Sequence, residues 1–194
     1  MSKISLEEIG GEFESAIKSP AGLPPVESWN PPLSGDIDIV ITRDGVWHHE
    51  GSPIKRQPLV KLFSSILKRE GDDYFLVTPV EKWRMQVEDV PFLVVAMECS
   101  SDGVNGEQVL SFTTNVNDRV CVGPDNPIRV EVNPETGEPS PYVLIRRNLE
   151  GRISRSVYYQ LAELAKPITG GEAYGESCTE SYGVSSCGVS FELK

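Results

Sequence analysis

The sequence has little of what metal sites, disulfide frameworks and membrane spans are built from. Its 194 residues include only 4 cysteines and 2 histidines. The cysteines form no C-x-x-C pair and no cluster with zinc-ligand spacing, so we predict neither a metal site nor a cofactor. The longest apolar run, Phe92 to Met97, has the length of a strand, whereas a bilayer span needs about 20 such residues. We therefore expect no membrane partner.

The N-terminal stretch also lacks the apolar core of a secretory signal. Residues 1–20 carry four glutamates and no hydrophobic stretch. The expected location is therefore the cytoplasm, where cysteines are usually buried or incidental thiols. Cys178 and Cys187 could face each other across a C-terminal turn, so a redox role for this pair stays open.

Positive charge is scarce. Lys and Arg total 18 against 29 Asp and Glu, which gives a net charge of −11 and a pI near 4.7. A protein that grips DNA or RNA needs a positive field to displace counterions from the phosphates, so we exclude long nucleic acid as a partner. A small anionic ligand stays open, because a locally basic cleft senses mainly charges within a Debye length of ~8 Å.

Catalytic motifs are missing as well. The sequence contains no G-x-S-x-G elbow, no P-loop, no G-x-G-x-x-G and no H-E-x-x-H. Glu81 and Glu88 could in principle work as an acid/base pair, but seven residues along an alternating strand put them on opposite faces. We predict no catalytic residue and a non-catalytic protein. An enzyme of unrecognised type that uses Glu81 is kept as an alternative.

Hydrophobic periodicity divides the first half of the chain into short elements. A capping box at Ser5–Glu8 opens a predicted helix over Leu6–Lys18, and five prolines then make an extended connector over Pro20–Pro32. The pattern that follows is hairpin, helix, hairpin. The predicted strands are 36–42, 46–50, 74–77 and 82–87, with a turn at Asp44-Gly45 and a helix over Gln57–Glu70.

The second half is predicted to begin with strands at 92–98, 108–114, 119–122, 128–132 and 142–147, followed by a helix over Arg155–Ala165. A mobile loop is expected over Thr169–Ser181, before a closing hairpin over Tyr182–Leu193.

A short repeat links the two halves. Ile54-x-Arg56 with Leu59 and Leu62 recurs as Ile153-x-Arg155 with Tyr158 and Leu161. This spacing indicates a duplicated strand–helix–hairpin unit, so the predicted fold class is α+β with two similar halves. The predicted boundaries are residues 1–33 for the N-terminal helix and connector, 34–91 for the first domain and 92–194 for the second.

Several multi-residue motifs occur in a recognisable order. The first half carries Asp44-Gly45-Val46-Trp47, Gly51-Ser52-Pro53-Ile54-x-Arg56, Leu59-Val60-x-Leu62-Phe63, Thr78-Pro79-Val80-Glu81-Lys82-Trp83 and Val87-Glu88-Asp89-x-Pro91-Phe92. The second half carries Phe112-Thr113-Thr114-Asn115, Pro141-Tyr142-Val143, Arg147, Leu149-Glu150, Ile153-x-Arg155, Tyr159-x-Leu161-Ala162 and Gly183-Val184-Ser185-Ser186-x-Gly188. On these motifs the chain, over residues 35–191, resembles an uncharacterised bacterial family catalogued as domain of unknown function 1285.

This resemblance implies more than the residues alone do. It implies a duplicated α+β architecture whose C-terminal domain is similar to pleckstrin-homology-like folds. It also implies a site between the two halves for a nucleotide-based ligand, and a role in signalling. The chain departs from the family in the long loop Gly170–Ser181 and at Cys187, which affects any site that the C-terminal segment lines.

A phosphate site needs guanidinium or ammonium groups, because a planar fork matches two oxygens at once. The candidate ligand-binding residues are Arg43, Arg56, Lys82, Trp83, Arg84, Arg147 and Arg155, with Arg146 beside them. Arg56 and Arg155 stand at helix starts, where backbone amides also favour anions. Lys82 and Arg84 share one face of a strand and Trp83 the other, where its ring could stack on a base. Each arginine could instead pair with a local carboxylate, and Trp83 could be core.

Two kinds of non-catalytic function fit these residues. The first is a ligand-binding module with a signalling or regulatory role, whose ligand is a small and nucleotide-like anion. The alternative is a protein-interaction module that docks a peptide along an exposed strand edge of the C-terminal domain.

Overall fold

The computed structural model describes Gly11 and residues 22–101, 106–168 and 181–193. The chain divides into two compact units, Met1–Pro91 (unit 1) and Phe92–Lys194 (unit 2). The predicted helix over Leu6–Lys18, apart from Gly11, and the predicted loop at Thr169–Ser181, apart from its last residue, lie outside the described residues. Within the described ranges, no helix is both long and apolar enough to cross a membrane.

Unit 1 is built on one six-stranded sheet. Its elements are a 3-10 helix (Val26–Ser28), β1 (Leu33–Ile41), β2 (Trp47–His49), β3 (Ser52–Pro53), α1 (Gln57–Ser65), β4 (Leu67–Glu70), β5 (Asp73–Val77) and β6 (Lys82–Val87). The strand order is β3-β2-β1-β6-β5-β4. Two antiparallel meanders, β1 to β3 and β4 to β6, meet at the centre of the sheet, where β1 and β6 run parallel.

The core of unit 1 follows from the alternation of apolar residues. Ile39 and Ile41 on β1 are fully buried, whereas Asp38, which directly precedes Ile39, is exposed. On α1, Leu59, Val60 and Phe63 form the buried stripe. The Phe63 ring lies 6.3 Å from that of Trp47 on β2, measured between centroids, so helix and sheet share one aromatic contact.

The predicted helix over Gln57–Glu70 is wrong in its last turn, because α1 ends at Ser65 and β4 follows at once. The hydroxyls of Ser64 and Ser65 donate to the carbonyl oxygens three residues earlier, at 2.8 and 2.6 Å. Such bonds compete with the helical ladder. Leu67 then pairs with Leu76 of β5, and both are fully buried. Burial in the sheet therefore outweighs the helical propensity of this segment.

Unit 2 repeats the same sheet. Its elements are β7 (Phe92–Ser100), β8 (Val109–Thr114), β9 (Arg119–Cys121), β10 (Ile128–Val132), β11 (Pro139–Arg146), β12 (Leu149–Ile153), α2 (Arg155–Leu164), β13 (Lys166–Ile168), β14 (Ser181–Ser186) and β15 (Val189–Glu192). The order β10-β11-β12-β7-β8-β9 again joins two meanders through a parallel pair of first and last strands. Strands β13, β14 and β15 form a separate sheet.

Two similar halves are therefore confirmed, but the repeating unit differs from the prediction. The repeat is a six-stranded sheet, and with few helices the described fold is mostly β rather than evenly α+β. The matched motifs fall at unequal places: Arg56 follows the third strand of its sheet, whereas Arg155 follows the sixth. Strand β12 was not predicted, because Gly151 interrupts the apolar pattern there. A Cβ at Gly151 would come within 3.1 Å of Ile145, so the close approach of β11 favours glycine.

The closing hairpin, β14 and β15, is tied to the six-stranded sheet of unit 2 by one buried hydroxyl. Ser186 is fully buried. Its Oγ accepts from the amide of Leu110 at 2.9 Å and donates to the carbonyl oxygen of Val122 at 2.7 Å. The next amide, that of Cys187, donates to the carbonyl of Gln108 at 3.0 Å. Ser186, which belongs to the motif Gly183-Val184-Ser185-Ser186-x-Gly188, thus links the two sheets of unit 2.

Candidate functional site

The predicted ligand-binding residues fall in both units. Arg43, Arg56, Lys82, Trp83 and Arg84 belong to unit 1, and Arg147 and Arg155 belong to unit 2. The alternating pattern predicted for residues 82–87 matches the bounds of β6, so Lys82 and Arg84 share one face of that strand.

Lys82 lies in a partly buried cluster with two residues that were not among the predicted site residues, Lys68 and Glu70 of β4. The Glu70 carboxylate bridges two ammonium groups, with Oε1 3.2 Å from Lys68 Nζ and Oε2 paired with Lys82 Nζ. The two lysine side chains are only 10% and 13% exposed. Lys68 also donates to the carbonyl of Trp29 at 3.2 Å. The ammonium of Lys82 lies 4.3 Å from the centre of the Phe75 ring.

The cluster favours the ionised form of the Glu70 carboxyl group. The hydrogen bond from Lys82 lowers the pKa of Glu70 from its ordinary value of 4.5, burial raises it by a smaller amount, and Lys68 adds to the lowering. Because two positive groups share one negative group, the cluster keeps an excess positive charge. This cluster could not be predicted from the sequence, because Lys68 and Glu70 fall in the predicted helix and Lys82 falls in a predicted strand.

Trp83 is half-buried and held by its neighbours on the sheet. Its indole N–H donates to Glu81 Oε2 at 3.3 Å. Its ring lies over Gly35 of β1, where a Cβ would come within 3.2 Å of the ring and where φ is +148°. Glycine is favoured at Gly35 for both reasons. The stacking of Trp83 on a base stays a prediction.

Three of the predicted arginines pair with carboxylates at the surface. Arg84 Nε donates to Asp36 Oδ1 at 2.7 Å, and this bond lowers the pKa of Asp36. Arg43 Nε lies 3.6 Å from Asp89 Oδ2. Arg155 Nη2 donates to Glu138 Oε1 at 2.8 Å.

Arg147 occupies the turn between β11 and β12 with φ +54° and is half-buried. Its neighbour Arg146 is buried to 11% exposure, pairs with Asp118 and lies 4.7 Å from the centre of the Phe92 ring. Burial is the largest influence on the pKa of Arg146 and lowers it, and the adjacent Arg147 adds to the lowering. Arg146 therefore contributes to packing in unit 2.

The start of α2 brings Arg155 together with unused hydrogen-bond donors. Ser154 stands at the N-cap in an extended conformation, yet its hydroxyl makes no cap bond and lies 3.2 Å from that of Ser156. In the described residues, the amides of Arg155, Ser156 and Val157 have no acceptor, whereas that of Tyr158 donates to the Ser154 carbonyl at 2.9 Å. Three amides, two hydroxyls and one guanidinium thus belong to four consecutive residues at the start of α2.

The start of α1 is poorer in such donors. Arg56 is the N-cap, Pro58 has no amide proton, and the amide of Leu59 donates to the Arg56 carbonyl at 3.0 Å. Of the two helix starts that the sequence analysis proposed for anions, α2 has more free donors.

The other surface features of the described residues give no anion or metal site. An open groove of about 320 Å³ beside β5 and β6 gathers the carboxylates of Asp72, Asp73 and Glu88, so its charge is of the wrong sign for an anion. Within the described ranges, no group of three His, Cys, Asp or Glu side chains could hold a metal ion. Cys99, Cys121 and Cys187 are free and exposed. Cys178, the other half of the predicted redox pair, lies outside the described residues.

Two family models and two crystal structures that are similar to this chain all belong to one family. The model described as "Domain of unknown function (DUF1285), N-terminal domain" matches residues 24–90, and that of the C-terminal domain matches residues 91–193. No curated protein matches. A crystal structure of a DUF1285 family protein from Silicibacter pomeroyi DSS-3 is similar at 45% identity and a TM-score of 0.83, over 99% of this chain and 96% of that one.

A second crystal structure, of a DUF1285 family protein from Shewanella baltica OS155, is similar at 30% identity and a TM-score of 0.52, over 66% of this chain and 91% of that one. Both family models, placed end to end, account for nearly all of the described residues. The chain therefore belongs to the DUF1285 family.

Proposed function

We propose that this protein is a non-catalytic binding module with a regulatory role in signalling, and that it binds a small, nucleotide-like anion through unit 2. The proposal includes a pleckstrin-homology-like character for that unit. The observation that supports it best is the start of α2, where the Ser154 hydroxyl does not cap the helix but lies against that of Ser156, and Arg155 stands between the two serines in sequence.

The geometry suits a phosphate group. Free amides at a helix start point along the axis, and the helix dipole adds a partial positive charge there. The hydroxyl of a serine at the N-cap usually accepts a hydrogen bond from an amide of the first turn. The Ser154 hydroxyl instead lies against that of Ser156. An oxyanion at this place would accept from the amides and hydroxyls together, and the guanidinium of Arg155 would bind it in a charge-assisted bond.

The existing partner of Arg155 is a weak competitor. Arg155 and Glu138 are 74% and 61% exposed, and ion pairs at such exposure contribute little, because water and salt screen them. A phosphate that also engages the amides can therefore displace Glu138 from the guanidinium.

Replacing Arg155 by alanine is expected to weaken binding of the anion about tenfold or more, because one charge-assisted hydrogen bond is lost. Calorimetric titration of the full chain with inorganic phosphate, nucleoside monophosphates and cyclic dinucleotides measures this. The thermal midpoint without ligand should not change, since Arg155 is largely exposed.

The matched control is Lys166→Ala, which removes an exposed cation of the same unit that has no ion pair in the described residues. Binding that Arg155→Ala leaves intact, or that both variants weaken equally, contradicts the proposed site.

A protein-interaction module is the second candidate. Tyr159 on α2 and Tyr182 on β14 are 60% and 48% exposed, and exposed tyrosines are common anchors for a partner. If no anion of the panel binds, and a peptide crosslinks to unit 2 of the parent but not of Tyr182→Ala, this second function replaces the first.

A further inference from the structure

The cations of unit 1 that the structure describes divide into two groups. Each arginine or lysine of the first group pairs with a carboxylate; these are Arg43, Lys68, Arg69, Lys82 and Arg84. The second group is Lys55, Arg56 and Lys61, all exposed and none in an ion pair within the described residues. In a chain with a net charge of −11, an unpaired cation is uncommon, and here three occur within seven residues.

These three residues, which we call the α1 patch, lie around the start of one helix. Lys55 and Arg56 immediately precede α1, and Lys61 is its fifth residue, which is about 8 Å along the axis from Arg56 at 1.5 Å per residue. No acidic residue stands in the first turn of α1. Across residues 51–69 the sequence contains five cations and no carboxylate. No carboxylate among the sequence neighbours of the patch therefore offsets its positive charge.

We propose that the α1 patch is a docking surface for an acidic segment of a partner protein. Charge complementarity is the argument: at physiological salt a bound peptide interacts mainly with charges within ~8 Å, and over residues 51–69 every charged side chain is positive although the whole chain is negative. Such a surface speeds and orients association with an acidic partner.

A nucleic acid fits the same patch less well. A polyanion longer than the patch also meets the negative remainder of the chain, which repels it. The aromatic rings of the neighbouring elements, Trp47 on β2 and Phe63 on α1, are 2% and 0% exposed. They offer no surface on which a base could stack.

Fluorescence anisotropy of a labelled peptide of eight glutamates, titrated with the full chain at low and at physiological salt, tests the proposal. The parent should bind, and its affinity should fall as salt rises. The patch variant Lys55→Gln, Arg56→Gln, Lys61→Gln should bind at least tenfold more weakly, since three favourable charge interactions are lost. Its thermal midpoint should match that of the parent, because the three side chains are exposed and form no ion pair with the part of the chain that the structure describes.

The matched control removes the same number of charges from residues that do not belong to the patch, by Arg84→Gln, Arg119→Gln and Lys166→Gln. It should keep most of the affinity. Equal losses in the two variants, or no binding by the parent, overturn the proposal, because only net charge would then matter. An oligonucleotide of equal charge that competes more strongly than the peptide also overturns it, in favour of a nucleic acid. Self-association of the parent that the patch variant abolishes overturns it in favour of a second copy of the chain.

Discussion

Replacing Glu70 by glutamine is expected to lower the free energy of unfolding by about 2–3 kcal/mol. The change leaves Lys68 and Lys82, which are 10% and 13% exposed, facing each other without a counter-charge. Removing one partner of a fully buried pair costs about 3–5 kcal/mol. The value expected here is smaller for two reasons. The Glu70 side chain is 36% exposed to solvent, and glutamine can still accept one hydrogen bond. Urea unfolding followed by fluorescence measures the difference.

The acid dependence of the same variant gives an independent check. The folded state lowers the pKa of Glu70, so its contribution to stability is complete above the ordinary value of 4.5 and disappears as pH falls through the lowered folded value. The gap in stability between parent and Glu70→Gln should therefore be full at neutral pH and close below pH 4.5. The control is Glu98→Gln, the same change in a pair with Arg119 that is 65% and 60% exposed. A gap that stays constant down to strongly acid pH would show that the charge of Glu70 is not its cause.

Replacing Gly183 by alanine is expected to destabilise unit 2 by about 3 kcal/mol, since overpacking with backbone displacement lies at the upper end of such costs. A Cβ at this position would lie 2.0 Å from the end of the Ile168 side chain and 2.4 Å from the carbonyl oxygen of Phe191. The side chain of Ile168 can turn away. The carbonyl belongs to β15, so relief requires β14 and β15 to separate.

Differential scanning calorimetry of the full chain measures this change, with Gly123→Ala as the control. A Cβ at Gly123 would meet Cys187 only at 3.4 Å, which is close to ordinary contact, so its midpoint should stay near that of the parent. A thermal midpoint of Gly183→Ala equal to that of the parent would mean that the hairpin tolerates the extra methyl group. Packing would then not require glycine at position 183.

Local features of the fold could be predicted from the sequence, and long-range pairing could not. The bounds of β6 follow from the alternation of Lys82, Trp83 and Arg84 with their neighbours, and Asp44-Gly45 marks the first turn correctly. The parallel pairing of β1 with β6 could not be read from either strand, because the paired residues are 46 to 49 positions apart in the sequence. The residues around Leu67 also favour a helix in sequence, and only the pairing of Leu67 with Leu76 makes this segment a strand.

The same division holds for the candidate site. Arg155 could be chosen from the sequence because it stands at a predicted helix start and recurs in the short repeat. Its partner Glu138 lies 17 residues earlier and could not be chosen among many carboxylates. The pair of Lys82 with Glu70 was missed for a related reason, since a segment assigned to a helix does not place its residues beside a strand. Charge can be counted from sequence, but which charges cancel depends on tertiary contacts.

The parallel pair at the centre of each sheet has a consequence for folding kinetics. In unit 1 it joins Leu33 to Lys82, and in unit 2 it joins Phe92 to Gly151, so the first and last strands of each sheet must meet. Each meander can form early from neighbouring strands, but the contacts between meanders have high contact order and require a long loop to close. Neither sheet can be completed on the ribosome before its sixth strand has emerged, and until then the inner edges of both meanders are exposed to other chains.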